Sequence, residues 1–347
     1  MQLSQGRPTA PRRAVGSGVV ECWHSNIGLY ARTPGKTCIA WSFLTVHWPT
    51  SQLFPGLRQI VRTTGFPVAT GSASCRLVVS SPTMKTPTSR PVVLCLSGHD
   101  PSGGAGLQAD IEALLAQGCH AAPTVTALTM QDTVNVSDFR VLDRDWVLAQ
   151  ANAVINDLPV EAVKLGMLGS VEMVETVLEI MQRLPGIPLV CDPVLRAGGG
   201  GALGKDEVGY AMRERLLPVA TIATPNLPEA RILAELPDGS ADECAEKLLP
   251  FIQHLLITGG HGDEHEVHNR LYSRDGSRHT YTCQRLPGSY HGSGCTLAST
   301  LAGRLALGQE LVSAVQFALD YTWRTLRDAE QPGHGQFIPR RLPLDLS

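Results

Sequence analysis

The run His291-Gly292-Ser293-Gly294-Cys295-Thr296 offers the clearest chemistry in this sequence of 347 residues. Its glycines let the backbone turn tightly and aim several N–H groups at one point. Small apolar residues follow and read as a helix, whose N-terminal end adds partial positive charge. Together these features suit an anion hole for a phosphoryl group. The same pattern also fits a plain turn feeding a buried helix. It is not the Walker pattern, which needs a Lys-Ser/Thr pair. Cys295 falls in the first helical turn, where the helix end lowers a thiol's pKa and a thiolate could accept a substrate hydroxyl proton. The alternative for Cys295 is a small buried hydrophobe.

A second run, Gly98-His99-Asp100-Pro101-Ser102-Gly103-Gly104-Ala105-Gly106, would let a flat ligand lie close to the backbone. Asp110 follows at the border of an apolar helical stripe. It either meets a partner or ligand there, or sits at a solvated edge. In Thr224-Pro225-Asn226-Leu227-Pro228-Glu229, Asn226 ends a strand and Glu229 opens a helix. Both could reach magnesium directly or through water, and both also fit ordinary helix capping. Asp192 ends a strand before Ala197–Gly201, which holds four glycines, and is a second candidate for metal or phosphate work. His261, His265 and His268, with Asp263, Glu264 and Glu266, imitate a metal cluster. Gly259-Gly260 and Gly262 break any helix there, so an exposed polar hairpin is the preferred reading. Asn135-Val136-Ser137 matches a glycosylation sequon, without meaning in a cytosolic chain.

These residues need a scaffold, and the sequence supplies one from residue 88 onward. Strands are predicted at Val92–Leu96, Pro123–Leu128, Ala162–Leu165, Pro188–Cys191, Val219–Ala223 and Leu255–Thr258. Helices are predicted over 104–117, 144–157, 170–184 (Ser170 as N-cap), 206–216, 295–307 and 310–329. Such alternation implies an α/β fold, a mostly parallel sheet covered by helices on both faces. Ligands bind outside the carboxyl ends of such strands. Gly98–Gly106, Gln131, Met167, Asp192, Asn226, Gly259 and Gly260 all fall there. His268–Tyr272 and His279–Arg285 alternate in short runs that predict a small antiparallel hairpin.

Residues 1–83 differ in character. They hold eight of the 29 Lys and Arg but one of the 32 acids, Glu21. Little sustained period is visible, and the segment reads as lacking a core of its own. A misplaced start with Met84 as the true one, a disordered tail and a targeting peptide are the competing explanations. The folded unit is expected over 88–347. Across the whole chain, 43% apolar composition supports a full core, and a net charge of −3 gives no field for nucleic acid. No apolar run approaches a membrane span. The nine cysteines form no C-x-x-C pair and read as free thiols in a reducing cytoplasm.

In order, Asp100-Pro101-Ser102-Gly103-Gly104-Ala105-Gly106 with Gln108 to Asp110, Ala127–Thr133, Lys164-Leu165-Gly166-Met167-Leu168, Asp192-Pro193-Val194, Thr224–Ala230 and Gly292–Thr296 resemble one family. It is the hydroxymethylpyrimidine/phosphomethylpyrimidine kinases of thiamine biosynthesis, in the ribokinase-like superfamily. The resemblance spans about residues 91–340. It implies two ATP- and Mg2+-dependent phosphorylations, of 4-amino-5-hydroxymethyl-2-methylpyrimidine and then of its monophosphate. It implies Gly98, Ala105, Thr129, Gln131 and Met167 around the ring, with the Gln131 amide reading the amino and nitrogen edge. Cys295 would be the base or hydroxyl-orienting group, and the Gly292, Ser293, Gly294 and Cys295 amides would hold the transferring phosphoryl group. Asp110 would border the hydroxymethyl site. Asn226, Thr258 and Gly260 would serve the nucleotide; Asp192 and Glu229 would serve magnesium, in part through water.

Some family members carry Lys where this chain has Thr258 and Gly198. Arg196, Lys205 or magnesium alone would replace those cations. The implied partners are the pyrimidine and ATP, with no nucleic acid and no membrane; a homodimer is left open. A pyridoxal kinase and a catalytically dead pyrimidine-binding module are the alternatives.

Overall fold

The computed structural model describes residues 19–24, 27–32, 89–195, 206–260 and 265–342, the first two ranges by backbone alone. Met84, Arg196, Gly198, the Ala197–Gly201 stretch, Lys205, His261, Asp263 and Glu264 lie outside the described residues. The chain divides into two units, Met1–Thr88 and Ser89–Ser347. In the first, β1 (Val19–His24) and β2 (Ile27–Arg32) pair antiparallel as a hairpin that the sequence reading did not find.

The second unit is built on a sheet of nine strands. They are β3 (Val92–His99), β4 (His120–Gln131), β5 (Val136–Val141), β6 (Val160–Leu165), β7 (Leu189–Cys191), β8 (Ile222–Ala223), β9 (His254–Ile257), β10 (Glu266–Ser273) and β11 (Arg278–Gln284). Their order is β11-β10-β9-β8-β7-β6-β3-β4-β5. The six strands from β9 to β4 in that order run parallel, while β5, β10 and β11 are antiparallel additions at the two edges. The predicted hairpin is β10–β11, with His268 opposite Thr282.

Helices cover both faces: α1 (Gly106–Ala116), α2 (Arg144–Asp157), α3 (Val171–Gln182), α4 (Asp206–Ala211), α5 (Leu227–Ala234), α6 (Ala241–Leu248), α7 (Ser293–Ala306) and α8 (Leu311–Arg327). The two-residue period of β3 explains why. Val92, Leu94 and Leu96 enter one apolar cluster with Val147, Val174 and Val177 of α2 and α3. Val93 and Cys95 enter the other, with Leu114 of α1, Leu301 of α7 and Ala318 of α8. A strand buried on both faces reads as a continuous apolar run, as this one does. Ser170 accepts from the Met173 N–H at 3.1 Å and starts α3 as predicted.

Three local expectations change. The helix over 206–216 begins as α4 and continues as a π turn, Met212–Leu216. The strand predicted from Val219 shrinks to Ile222–Ala223, because Pro218 sits in a 3-10 turn over Leu217–Val219. Strand β5 and helix α6 were not predicted.

Candidate active site

Every predicted site residue within the described ranges lies at or beyond the carboxyl ends of the parallel strands, or on the loops and helix starts that meet there. Beyond β3 the chain turns through Gly103 (φ 75°) and Gly106 (φ 56°) into α1. A side chain at Gly106 would meet the Gly98 carbonyl oxygen at 2.3 Å, so the turn requires glycine. Gly98 packs against Met167, whose carbonyl accepts from the Thr126 hydroxyl at 2.6 Å. The Thr129 hydroxyl donates to the His99 carbonyl at 2.9 Å. Gly98, Thr129 and Met167 are thereby gathered around the end of β3.

Asp100 organises the turn from within. Its carboxylate accepts from the Ser102 and Ala105 N–H groups, the Ser102 hydroxyl and His291 Nε2, at 2.7–2.8 Å. Burial alone would raise its pKa, but the His291 and Ser102 hydrogen bonds outweigh that and hold it well below the usual carboxylate range. His291 Nε2 also lies 3.1 Å from the Gln131 amide. The Asp100 carboxylate can only accept, so the ring N–H serves Asp100 and the Gln131 amide nitrogen lies as a close neighbour of the ring. Ala105, Gln131 and the anion loop are joined through this one imidazole, which the sequence reading left without a role.

The anion loop closes on the same place. Gly292 adopts φ 80°, and a side chain there would meet the Gly104 carbonyl oxygen at 2.0 Å. The two glycine-rich runs touch backbone to backbone. Gly294 is exposed and faces the Asp192 carboxylate. Cys295 keeps partial solvent access, but protein crowds its thiol. Burial pushes that thiol up to about 12; Lys164 opposes the rise, and Asp192 and Asp110 add to it. This corrects the expectation of a helix-end thiolate. Desolvation and two nearby carboxylates work against the helix terminus and favour the neutral thiol.

Beneath the loop lie two buried charge clusters. Asp110 is fully buried, which overturns the solvated-edge alternative. Its Oδ1 meets Lys164 Nζ at 2.8 Å and accepts from the Ser299 hydroxyl at 2.6 Å. Lys164 also donates to the Ser97 hydroxyl at 3.0 Å. Burial disfavours its charge, but Asp110 first and Asp192 further off hold it protonated. Asp110 therefore touches the cleft only through its neighbours, although its Oδ2 has no hydrogen-bond partner.

Asp192 and Glu229 form the second cluster. Burial pushes Asp192 up to about 6; Lys164 opposes this, Asp110 adds to it, and the Cys295 thiol donates to the carboxylate. Burial, with Asp192 facing it, pushes Glu229 up to about 8. Glu229 also closes a capping box: its Oε2 accepts from the Asn226 N–H at 3.0 Å, and Asn226 Oδ1 accepts from the Glu229 N–H at 2.9 Å. The capping alternative is therefore realised in full. Asn226 bridges to Thr258 beyond β8 and β9, and Gly260 is exposed just past it.

Among the described residues no group of three metal-ligating side chains is assembled, and Glu266 and His268 lie at the start of β10, just after His265. A groove of about 520 Å³ between β11 and α8 includes none of the predicted site residues. Lys164 carried a sequence signal that went unused. A lysine inside the apolar strand Val160–Leu165 and an aspartate on an apolar helix face each need a partner, and each supplies the other's.

The match to known proteins follows the same stretch of chain. The family model for phosphomethylpyrimidine kinase matches residues 100–340. A hydroxymethylpyrimidine/phosphomethylpyrimidine kinase of Mycobacterium tuberculosis is 39% identical over 251 residues, 71% of this chain and 91% of that protein. The phosphomethylpyrimidine kinase of Clostridium difficile superposes with a TM-score of 0.59 at 32% identity, covering 67% of this chain and 98% of that one. The ADP complex of Bacillus subtilis pyridoxal kinase gives 0.67 at 26% identity, covering 73% and 98%. With its ribokinase-like sheet and its ordered motifs, the chain belongs to the phosphomethylpyrimidine kinase family.

Proposed function

We propose that this chain transfers a phosphoryl group from ATP to the hydroxymethyl group of 4-amino-5-hydroxymethyl-2-methylpyrimidine, and then to the resulting monophosphate. The observation that carries the reading is the contact of the two glycine-rich runs. It brings the Gly292–Cys295 loop against the run that carries Gly98 and Ala105, with Gln131 beside His291, which supports Gly98, Ala105, Thr129, Gln131 and Met167 as the ring site. One wall can hold a flat ring and the other the transferring group. The Gln131 amide reads the amino and nitrogen edge. Cys295 orients the hydroxyl as a thiol, with Lys164 favouring any negative charge that develops on sulfur. The loop amides and the start of α7 stabilise charge on the phosphoryl oxygens. Asp110 supports this region from below through Lys164.

Asp192 and Glu229 fit magnesium. Both carboxyls are buried and pushed toward the protonated form by burial, Asp110 adds to the rise at Asp192 and Asp192 to that at Glu229, and Asp192 Oδ2 has no partner. Magnesium there would neutralise the facing carboxylates and the nucleotide phosphates. Glu229 Oε2 already serves the Asn226 amide, which suits a share in the magnesium site through water. Asn226, Thr258 and Gly260 line the nucleotide side. The kinase unit is residues 88–347, and a reducing cytoplasm as its location is supported by the six free cysteines among the described residues. No helix among the described residues is long and apolar enough to cross a membrane.

A second reading, pyridoxal kinase, is favoured by the likeness to the Bacillus subtilis enzyme. Purified protein given ATP with the pyrimidine and pyridoxal side by side, with products resolved by mass, separates the two. Mono- and diphosphate of the pyrimidine are expected. Phosphorylation of pyridoxal alone would replace the first reading by the second. Gln131→Leu should weaken pyrimidine use by about 1–3 kcal/mol while sparing ATP, because it leaves ring polar groups unpaired. An unchanged apparent affinity would mean that another residue reads the ring.

A further inference from the structure

Arg341 stands near the end of the described chain, yet it is 3% exposed. The segment leading to it is tied down at each step. Gly335 and Gln336 donate their N–H groups to Thr133 Oγ1 and O at 3.1 and 2.8 Å, in the turn just after Gln131. Phe337 exchanges backbone bonds with Ser289 and His291, both at 2.8 Å. The Arg340 N–H reaches the Thr325 carbonyl of α8 at 3.0 Å, and the Tyr321 hydroxyl caps the Arg341 carbonyl at 2.5 Å. This strap delivers the guanidinium between the two glycine-rich runs. Nε donates to Thr296 Oγ1 at 2.8 Å, Nη2 donates to the Gly104 carbonyl, and Nη1 pairs with Glu112 at 3.0 Å. The Thr296 hydroxyl in turn donates to the Gly292 carbonyl at 2.7 Å. Arg341 thus holds Gly104 on the acceptor side and Gly292 and Thr296 on the phosphoryl side, with Glu112 of α1 fixing its own position.

We propose that Arg341 is a positioning residue for phosphoryl transfer, a planar clasp that keeps the Gly98–Gly106 run and the Gly292–Thr296 run in one register. The proposal rests on the reading that these two runs hold the acceptor and the transferring group. Its chemistry is that of a rigid fork: three contacts in three directions, which one flexible ammonium cannot reproduce. Arg341 is sealed from the cleft, so it contributes geometry and does not touch substrate. A loosened register lengthens the path from acceptor oxygen to phosphorus, and a misplacement on the ångström scale can cost about a hundredfold in rate.

The test uses the full chain with Arg341→Ala and Arg341→Lys, assayed well below each variant's Tm with either acceptor supplied separately. The expected result is a kcat lowered by about ten- to a hundredfold on both acceptors, with KM for ATP and acceptor little changed. Methylguanidine at millimolar concentration should restore kcat of Arg341→Ala saturably, since it can refill the vacated fork. If Arg341→Ala does not fold, Arg341→Lys carries the same expectation of lowered kcat. A lowered Tm with unchanged kcat in the folded variants would overturn the proposal and make Arg341 a stability element alone. Wild-type turnover on each acceptor tests the functional reading separately, because the clasp is judged on the ratio of variant to wild type.

Discussion

Lys164 with Asp110, and Asp192 with Glu229, lie beneath the same cleft and are buried to a similar depth, yet they balance charge differently. The first pair meets at 2.8 Å with both side chains sealed from solvent. The second is two acids facing each other, and neither has an ion-pair partner within 4.0 Å among the described residues. Burial pushes their carboxyls up to about 6 and about 8, with Asp110 adding to the rise at Asp192 against Lys164, and Asp192 adding to the rise at Glu229. The difference teaches what each is for. A charge needed for architecture is neutralised by the chain itself. Two like charges left facing form a place where a cation from outside gains the most.

The largest effect comes from breaking the self-neutralised pair. Lys164→Met should cost about 3–5 kcal/mol of stability, because it strands the Asp110 carboxylate without its cation. The double variant Lys164→Met/Asp110→Leu should recover much of that, since an apolar pair of similar volume can replace a buried ion pair. Denaturant midpoints read both. A single variant as stable as wild type would mean that Asp110 takes up a proton cheaply, and the contrast between the two clusters would disappear.

Next in size is a pH effect of unusual sign. Asp192 and Glu229 have folded pKa values raised above their ordinary 3.8 and 4.5, to about 6 and about 8. Between those limits the folded chain binds more protons than the unfolded one. Metal-free stability should therefore fall as pH rises from about 5 to 8, by up to about 1.4 kcal/mol per pH unit for each proton. Asp100 works the other way, with its folded pKa depressed, but its contribution is lost only at more acidic pH. Chemical denaturation with a chelator present, repeated with magnesium, reads the slope. Magnesium should flatten it. A metal-free slope of zero or of opposite sign would remove the case for two facing carboxylates.

Asp192→Asn sharpens the same point at smaller cost. It should stabilise the metal-free chain by on the order of 1 kcal/mol by relieving Glu229, while lowering turnover by about a hundredfold. Loss of both stability and activity would mark Asp192 as an ordinary structural acid.

How much of this could be read from the sequence depends on the distance between partners. The Val92–Leu96 run announced a strand buried on both faces, and Ser170 announced the start of α3, because those signals are local. Helix α6 was missed because its buried face is Ala241, Cys244, Ala245 and Leu248, small residues that make a faint stripe. Strand β5 was missed because Ser137, Asp138 and Arg140 give an edge strand a polar surface. The glycine runs and Cys295 were legible as chemistry. The state of the thiol was not, because it is set by Lys164, Asp192 and Asp110, each more than 90 residues away in the chain. Arg341 left no signal at all: its partners Gly104, Glu112 and Thr296 belong to no shared period.

The smallest expected effect is a ratio, and it concerns the residue standing between the two clusters. Cys295 feels Lys164 on one side and donates to Asp192 on the other. The first transfer starts from a neutral hydroxyl that must be oriented and lose a proton. The second starts from a phosphate oxygen that is already anionic near neutral pH. A group acting on the hydroxyl therefore matters more in the first. Cys295→Ala should lower the first transfer by about a hundredfold, the usual scale for losing an acid–base group, and the second by less. Cys295→Ser keeps an O–H that can still donate to Asp192 and should recover part of the first transfer. Gly294→Val should impair both alike, because a β-branched side chain blocks the close approach that the loop amides need. Turnover with the pyrimidine and with its monophosphate, supplied separately, gives the ratio directly. Equal losses in Cys295→Ala would put the thiol's work at the phosphoryl group, on the same footing as the loop amides, and would leave Asp192 as the nearest group able to take the hydroxyl proton.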